Sequence, residues 1–96
     1  MKENLLTIIN NYGANKQLKK LSEEVFEFQE AVIHWELAKK SIYPSPFDRL
    51  EEHIEEEFAD VCVLLEQFKA YYDLDNKKII EIMKQKIDRQ IKRMEK

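Results

Sequence analysis

The sequence predicts an all-α protein, and three observations carry the prediction. Apolar residues recur in steps of three and four along four separate stretches. One glycine and two prolines in 96 residues leave few places to turn, which favours long helices with short connections. Charged residues make up 36% of the chain, yet the net charge is only −3. That balance suits helix surfaces laced with opposite charges and argues against the strong basic field of a protein that binds a nucleic-acid polymer. The length fits a single domain, residues 1–96, with one modest core.

The first helix is expected over residues 2–12, where Leu5, Leu6, Ile8, Ile9 and Tyr12 share a helical spacing. Gly13 follows at the place of an αL cap. The second helix is expected from about Asn15 to Lys40, with Leu18, Leu21, Val25, Phe28, Val32 and Trp35 as its main stripe. Glu24 lies on the shoulder of that stripe and Glu27 further round the same side. Phe26, Ile33 and Leu37 form a second apolar strip on the opposite side, and a helix apolar on two faces needs partners on both. A second copy of the chain is the expected cover. Residues 41–45 form the turn of a hairpin. Ser45 as N-cap and Pro46 at the first helical position open a third helix that runs to about Tyr72. Its stripe reads Phe47, Leu50, Ile54, Val61, Leu65, Phe68 and Tyr72. The stretch Asp73–Asn76 breaks that helix, and Asp75 or Asn76 caps a fourth that carries Ile79, Ile80, Met83, Ile87 and Met94. Cys62, the sole cysteine, excludes an internal disulfide and reads as a small buried hydrophobe. No apolar run approaches the ~20 residues needed to cross a bilayer, and the first apolar stretch is too short for a signal peptide. A cytoplasmic protein without a membrane partner is therefore expected.

Two acidic pairs carry the chemistry. Glu24 and Glu27 are three apart, as are Glu57 and Asp60, and residues three apart are neighbours on one helix face. Glu57 also stands where the stripe of the third helix calls for an apolar residue, and an unpaired carboxylate facing a core is costly. Helical arithmetic brings the pairs to one level. Glu27 is thirteen residues before Lys40 and Asp60 fourteen after Pro46, so at ~1.5 Å per residue both lie roughly 20 Å from the turn. A divalent cation with oxygen ligands would neutralise such a cluster. Chance pairing among 19 acidic residues is the competing account, and a solvated face accounts for Glu51, Glu52, Glu55 and Glu56. In the fourth helix, Lys86, Arg89 and Arg93 line one flank of the apolar stripe. They read either as a solvated basic face or as a phosphate clamp. A di-iron carboxylate bundle needs Glu-x-x-His pairs, and His34 and His53 have Ala31 and Leu50 at the required position. A non-catalytic helical adaptor explains the two-faced second helix but leaves Glu57 unexplained.

These residues resemble the all-α nucleoside triphosphate pyrophosphohydrolases of the MazG-like superfamily, of the small phage and Gram-positive type. The family mark is Glu-Glu-x-x-Glu, a spacer, then Glu-x-x-Asp, matched here by Glu23-Glu24-Val-Phe-Glu27 and Glu57-Phe-Ala-Asp60. Gln17 upstream, Lys20-Leu21 before the box, Glu30-Ala31 after it and the apolar run Val61–Leu65 agree with that pattern. The basic tail around Lys86, Arg89 and Arg93 agrees too. The spacer, residues 28–56, sits at or slightly beyond the long end of the family range. The resemblance implies a helical hairpin with flanking helices forming four-helix-bundle-like oligomeric units, a homodimer or homotetramer that cleaves a nucleoside triphosphate to the monophosphate and pyrophosphate with Mg²⁺, or with Mn²⁺ in its place. It implies Glu24, Glu27, Glu57 and Asp60 as metal ligands and Glu23 and Glu30 as residues that orient ligands or activate water. Lys86, Arg89, Arg93 and Gln17 would meet the substrate, with Tyr12 and Trp35 as further candidates for the base. Enzymes acting on phosphoribosyl-ATP share the acidic pattern.

Overall fold

In the computed structural model the described residues are 1–40 and 50–95, and they form four helices with no strand among them: α1 (Lys2–Tyr12), α2 (Ala14–Lys40), α3 (Leu50–Tyr71) and α4 (Asn76–Met94). The expected start of the third helix at Ser45-Pro46, with Phe47 beside it, lies outside the described residues. So does the hairpin turn.

Gly13 joins the first two helices without a loop. Its N–H donates to the Ile9 carbonyl at 2.8 Å, and its own carbonyl accepts from Gln17 N at 3.1 Å. Its φ of 92° is one that only glycine adopts at no steric cost. With ψ at 145° it is not the αL cap expected from the sequence. The chain leaves α1 extended and enters α2 at once. At the other end, α3 closes in a Schellman motif. Leu74 N donates to the Lys69 carbonyl at 3.0 Å and Asp73 N to that of Ala70 at 3.2 Å, with Asp73 at φ 50° in the left-handed position. Asp75 then caps α4 by accepting from Lys77 N at 3.0 Å and Lys78 N at 3.3 Å.

Helices α2 and α3 make the most extensive pairing, and α1 packs across both. The seam that α2 turns toward its partners is Gln17, Leu21, Glu24, Phe28, Ala31, Trp35 and Ala38, every one buried or half-buried. This corrects the expected stripe. Leu18 is 56% exposed, because the packed face is rotated toward Gln17, Glu24 and Ala31. On α3 the seam holds Ile54, Glu57, Val61, Leu64 and Phe68, and Leu65 and Tyr72 of the expected stripe are exposed. Phe28 and Phe58 meet edge to face at 5.7 Å between centroids, which ties α2 to α3 beside the acidic residues. Ile9 of α1 is wholly buried. Cys62 is half-buried rather than enclosed.

Helix α4 packs along none of the other three among the described residues. Its tie to the body is polar: Lys69 Nζ donates to Asn76 Oδ1 at 3.0 Å. No helix among the described residues is long and apolar enough to cross a membrane.

Candidate metal centre

Three of the four predicted carboxylates converge. Glu24, Glu57 and Asp60 each offer an oxygen, and these oxygens lie within 4.8 Å of one another. The convergence follows from the seams. Glu24 and Glu57 take core positions of two helices packed side by side, and Asp60 stands one turn beyond Glu57 on the same face. Glu24 is only 7% exposed. Two of the carboxylate oxygens, Glu24 Oε2 and Glu57 Oε2, are buried with no hydrogen-bond partner. The other oxygen of each has company. Lys20 Nζ lies 3.2 Å from Glu24 Oε1, and His53 Nδ1 lies 3.9 Å from Glu57 Oε1. The Lys20 ammonium titrates above its usual range through this hydrogen bond to Glu24 and the charge beside it.

Glu27 stands at the exposed rim of the same group. The Glu24 charge, then partial desolvation, push its carboxyl above the ordinary value of 4.5, and Glu57 adds to the push. The folded chain therefore holds the Glu27 proton to higher pH than the unfolded chain does. Stability from this residue is present at acid pH and is lost as pH rises through the folded pKa. In metal-free protein, Glu27→Gln is expected to flatten the fall in melting temperature between pH 4.5 and neutrality. A melting series in EDTA with an unchanged slope would mean that Glu27 does not feel its neighbours.

The donor set fits a hard divalent cation such as Mg²⁺. All ligands are carboxylate oxygens, two of them lack any other partner, and like charges at this spacing repel until something positive stands among them. The remaining predicted residues fall elsewhere. Glu23 and Glu30 are exposed and neither joins the three-carboxylate group. Glu30 lines an apolar concavity of about 440 Å³ with Phe26, Phe28 and Ile33. Gln17 is buried, and its Nε2 donates to Gln67 Oε1 at 2.8 Å across the α2–α3 seam. Both glutamines line a groove of about 410 Å³ with Ile8, Lys20, Glu24 and Asp60. Within one chain, Lys86, Arg89 and Arg93 are not brought to this group, because α4 packs on neither α2 nor α3.

Sequence reasoning misses three participants. Lys20 is legible as the i, i+4 partner of Glu24. His53 has the same relation to Glu57. Gln67 stands seven residues after Asp60 on the same face, but a glutamine in a mostly apolar run gives no signal of its own. The chain matches no family model, no curated protein and no solved structure.

Proposed function

We propose that the chain is a Mg²⁺-dependent nucleoside triphosphate pyrophosphohydrolase of the MazG-like type, acting as a homo-oligomer. One observation supports it most. Two carboxylates, Glu24 and Glu57, are placed in a helical seam with an oxygen each left unpartnered, beside Asp60. Leaving a buried charged group unsatisfied costs a few kcal/mol, and a fold keeps such groups where a ligand repays them. Glu24, Glu57 and Asp60 would hold the cation, with Glu27 closing the rim. When bound, Mg²⁺ supplies positive charge that polarises phosphoryl oxygens and favours the deprotonation of water. The α,β-anhydride bond is broken, the water oxygen is added at phosphorus, and pyrophosphate leaves with the electron pair. Gln17 and Gln67 would fix the wall of the groove beside the cluster through their mutual hydrogen bond.

The oligomer is part of the reading. Phe26, Ile33 and Leu37 are 60%, 55% and 62% exposed on the outer face of α2, and Ile80, Met83, Ile87, Ile91 and Met94 of α4 are exposed as well. A second copy that laid α4 over α2 would cover both apolar surfaces.

A panel of ribo- and deoxynucleoside triphosphates, with phosphoribosyl-ATP included, tests the reaction. Monophosphate and pyrophosphate are the expected products in the presence of Mg²⁺, with no turnover in EDTA. Orthophosphate and diphosphate as products would rule out this cleavage. Absence of turnover on every nucleotide would favour a helical adaptor, a role that leaves the two unpartnered oxygens without a purpose.

A further inference from the structure

The groove of about 410 Å³ beside the carboxylates has two ends of different chemistry. Glu24 and Asp60 line one end, and Gln17 and Gln67 line the other. Gln17 stands seven residues before Glu24 and Gln67 seven after Asp60, so each amide shares a helix face with a carboxylate. Two helical turns, about 10 Å along the axis, separate the ends. Gln17 is 7% and Gln67 2% exposed. Their mutual hydrogen bond, at 2.8 Å, takes one N–H and one carbonyl oxygen. Whichever way the two amides face, such a pair leaves one carbonyl oxygen and one NH₂ group over. Neither of these is among the buried atoms that lack a partner, and both residues line the groove. The rest of this end is apolar, with Ile8 of α1 and Val63 and Leu64 of α3. Lys20, the cation on the lining, pairs with Glu24 Oε1 at 3.2 Å.

We propose that the amide end of this groove is the nucleobase subsite, where Gln67 and Gln17 together read the edge of the base. The inference rests on the reading of the chain as a nucleotide hydrolase with Glu24, Glu57 and Asp60 at its metal. A phosphate is charged and offers only acceptors, and the lining gives it no cation beyond the paired Lys20. A base is neutral and flat, with apolar faces and an edge that sets donors beside acceptors. Ile8, Val63 and Leu64 suit the faces. The oxygen and NH₂ that the glutamine pair leaves over suit the edge, as a carboxamide does when it pairs with adenine. The length of the groove is what a sugar and its base span when the phosphate lies at the metal. Specificity follows from burial. A base with the wrong edge leaves a buried amide unpaired, which is costlier than losing a contact in water.

Titration of the full chain in saturating Mg²⁺ tests the subsite. The probes are the ribo- and deoxynucleoside monophosphates, with ribose phosphate and deoxyribose phosphate as base-free references. At least one nucleotide is expected to bind wild-type protein about tenfold or more tighter than its sugar phosphate. Gln67→Met keeps the length of the side chain and removes its hydrogen bonds. It is expected to weaken the preferred nucleotide about tenfold or more while the sugar phosphate binds as in the wild type. Gln67→Glu keeps an acceptor for Gln17 and exchanges the NH₂ for an oxygen. It is expected to change the order of preference among the bases, and it carries the test where the apolar variant does not fold. Equal affinity of the wild type for nucleotides and sugar phosphates overturns the proposal. So does an unchanged affinity and order in the variants. A parallel loss of sugar-phosphate binding also overturns it, by assigning Gln67 to the shape of the groove alone. Turnover separates this from the parent reading. Relative rates on the triphosphate panel that are the same in wild type and variants remove the base subsite and leave the hydrolase. Base-dependent binding that the variants erase, without turnover, removes the hydrolase and leaves the subsite.

Discussion

Glu57→Leu is expected to raise the melting temperature of the metal-free protein and to abolish the response to Mg²⁺. Glu57 occupies a seam position of α3 with its side chain 14% exposed, and its Oε2 has no partner. Among the described residues its Oε1 faces His53 Nδ1 at 3.9 Å, beyond hydrogen-bond reach. Around it stand Glu24 and Asp60, with Glu27 at the rim. Without a cation, the position combines desolvation with like-charge repulsion, and no hydrogen bond to Glu57 Oε2 among the described residues offsets them. Leucine has a similar volume, continues the stripe between Ile54 and Val61, and removes both costs. Replacing a buried ionic group with a well-packed apolar one stabilises by about 1–4 kcal/mol in comparable cases. Each kcal/mol moves the melting temperature by about 4–8 °C in a domain of this size. The same change deletes a ligand. Wild-type protein with Mg²⁺ at a hundred times its dissociation constant gains about 2.7 kcal/mol, and the variant should gain little of it. Melts of both proteins in EDTA and in excess Mg²⁺ give the four values. A lower melting temperature for Glu57→Leu in EDTA would show that protein partners hold the carboxylate. Equal stabilisation of both proteins by Mg²⁺ would show that Glu57 is not a ligand.

Glu57 is legible in the sequence because an apolar stripe is a ruler. A carboxylate on one of its marks is visible because its neighbours are not carboxylates. Glu24 is harder to see. Its seam neighbours Gln17 and Ala31 carry little apolar signal, whereas Leu18, Val25 and Val32 lie close to the seam and carry a strong one. Hydropathy therefore draws the stripe about one residue out of register and leaves Glu24 on its shoulder. The pairing of Gln17 with Gln67 is invisible for the same reason, since a buried amide is readable only when its partner is known. The level match of the two acidic pairs is legible, because it needs nothing beyond helix rise and an antiparallel hairpin. The separation of α4 from the bundle is not. It depends on the left-handed Asp73 and the Asp75 cap, which set the direction of the chain after α3. Nothing in the apolar stripe of α4 says whether its cover is in the same chain or in another.

Ile87→Asp is expected to dissociate the oligomer, and the reasons lie in α4 itself. Ile80, Met83, Ile87, Ile91 and Met94 follow one another in steps of three and four, and each is more than 40% exposed. Helix α4 packs along no other helix among the described residues, and most helical stability in proteins comes from packing of the apolar face. Charge selects the cover. Helix α4 holds seven of the 16 basic residues and two of the 19 acidic ones, so the negative excess lies on the rest of the chain. A second copy offers that acidic surface together with the exposed Phe26, Ile33 and Leu37 of its α2. In a two-fold pair every contact occurs twice. Burying an isoleucine contributes about 1.5–3 kcal/mol, so losing two of them weakens association by roughly a hundredfold or more. Light scattering at micromolar concentration should find wild-type protein as a dimer or tetramer and Ile87→Asp largely as monomer. Circular dichroism should find lower helicity in the variant, as α4 loses its cover. A wild-type monomer under these conditions would end the oligomer reading. A variant that stays associated would place the interface on α2 alone.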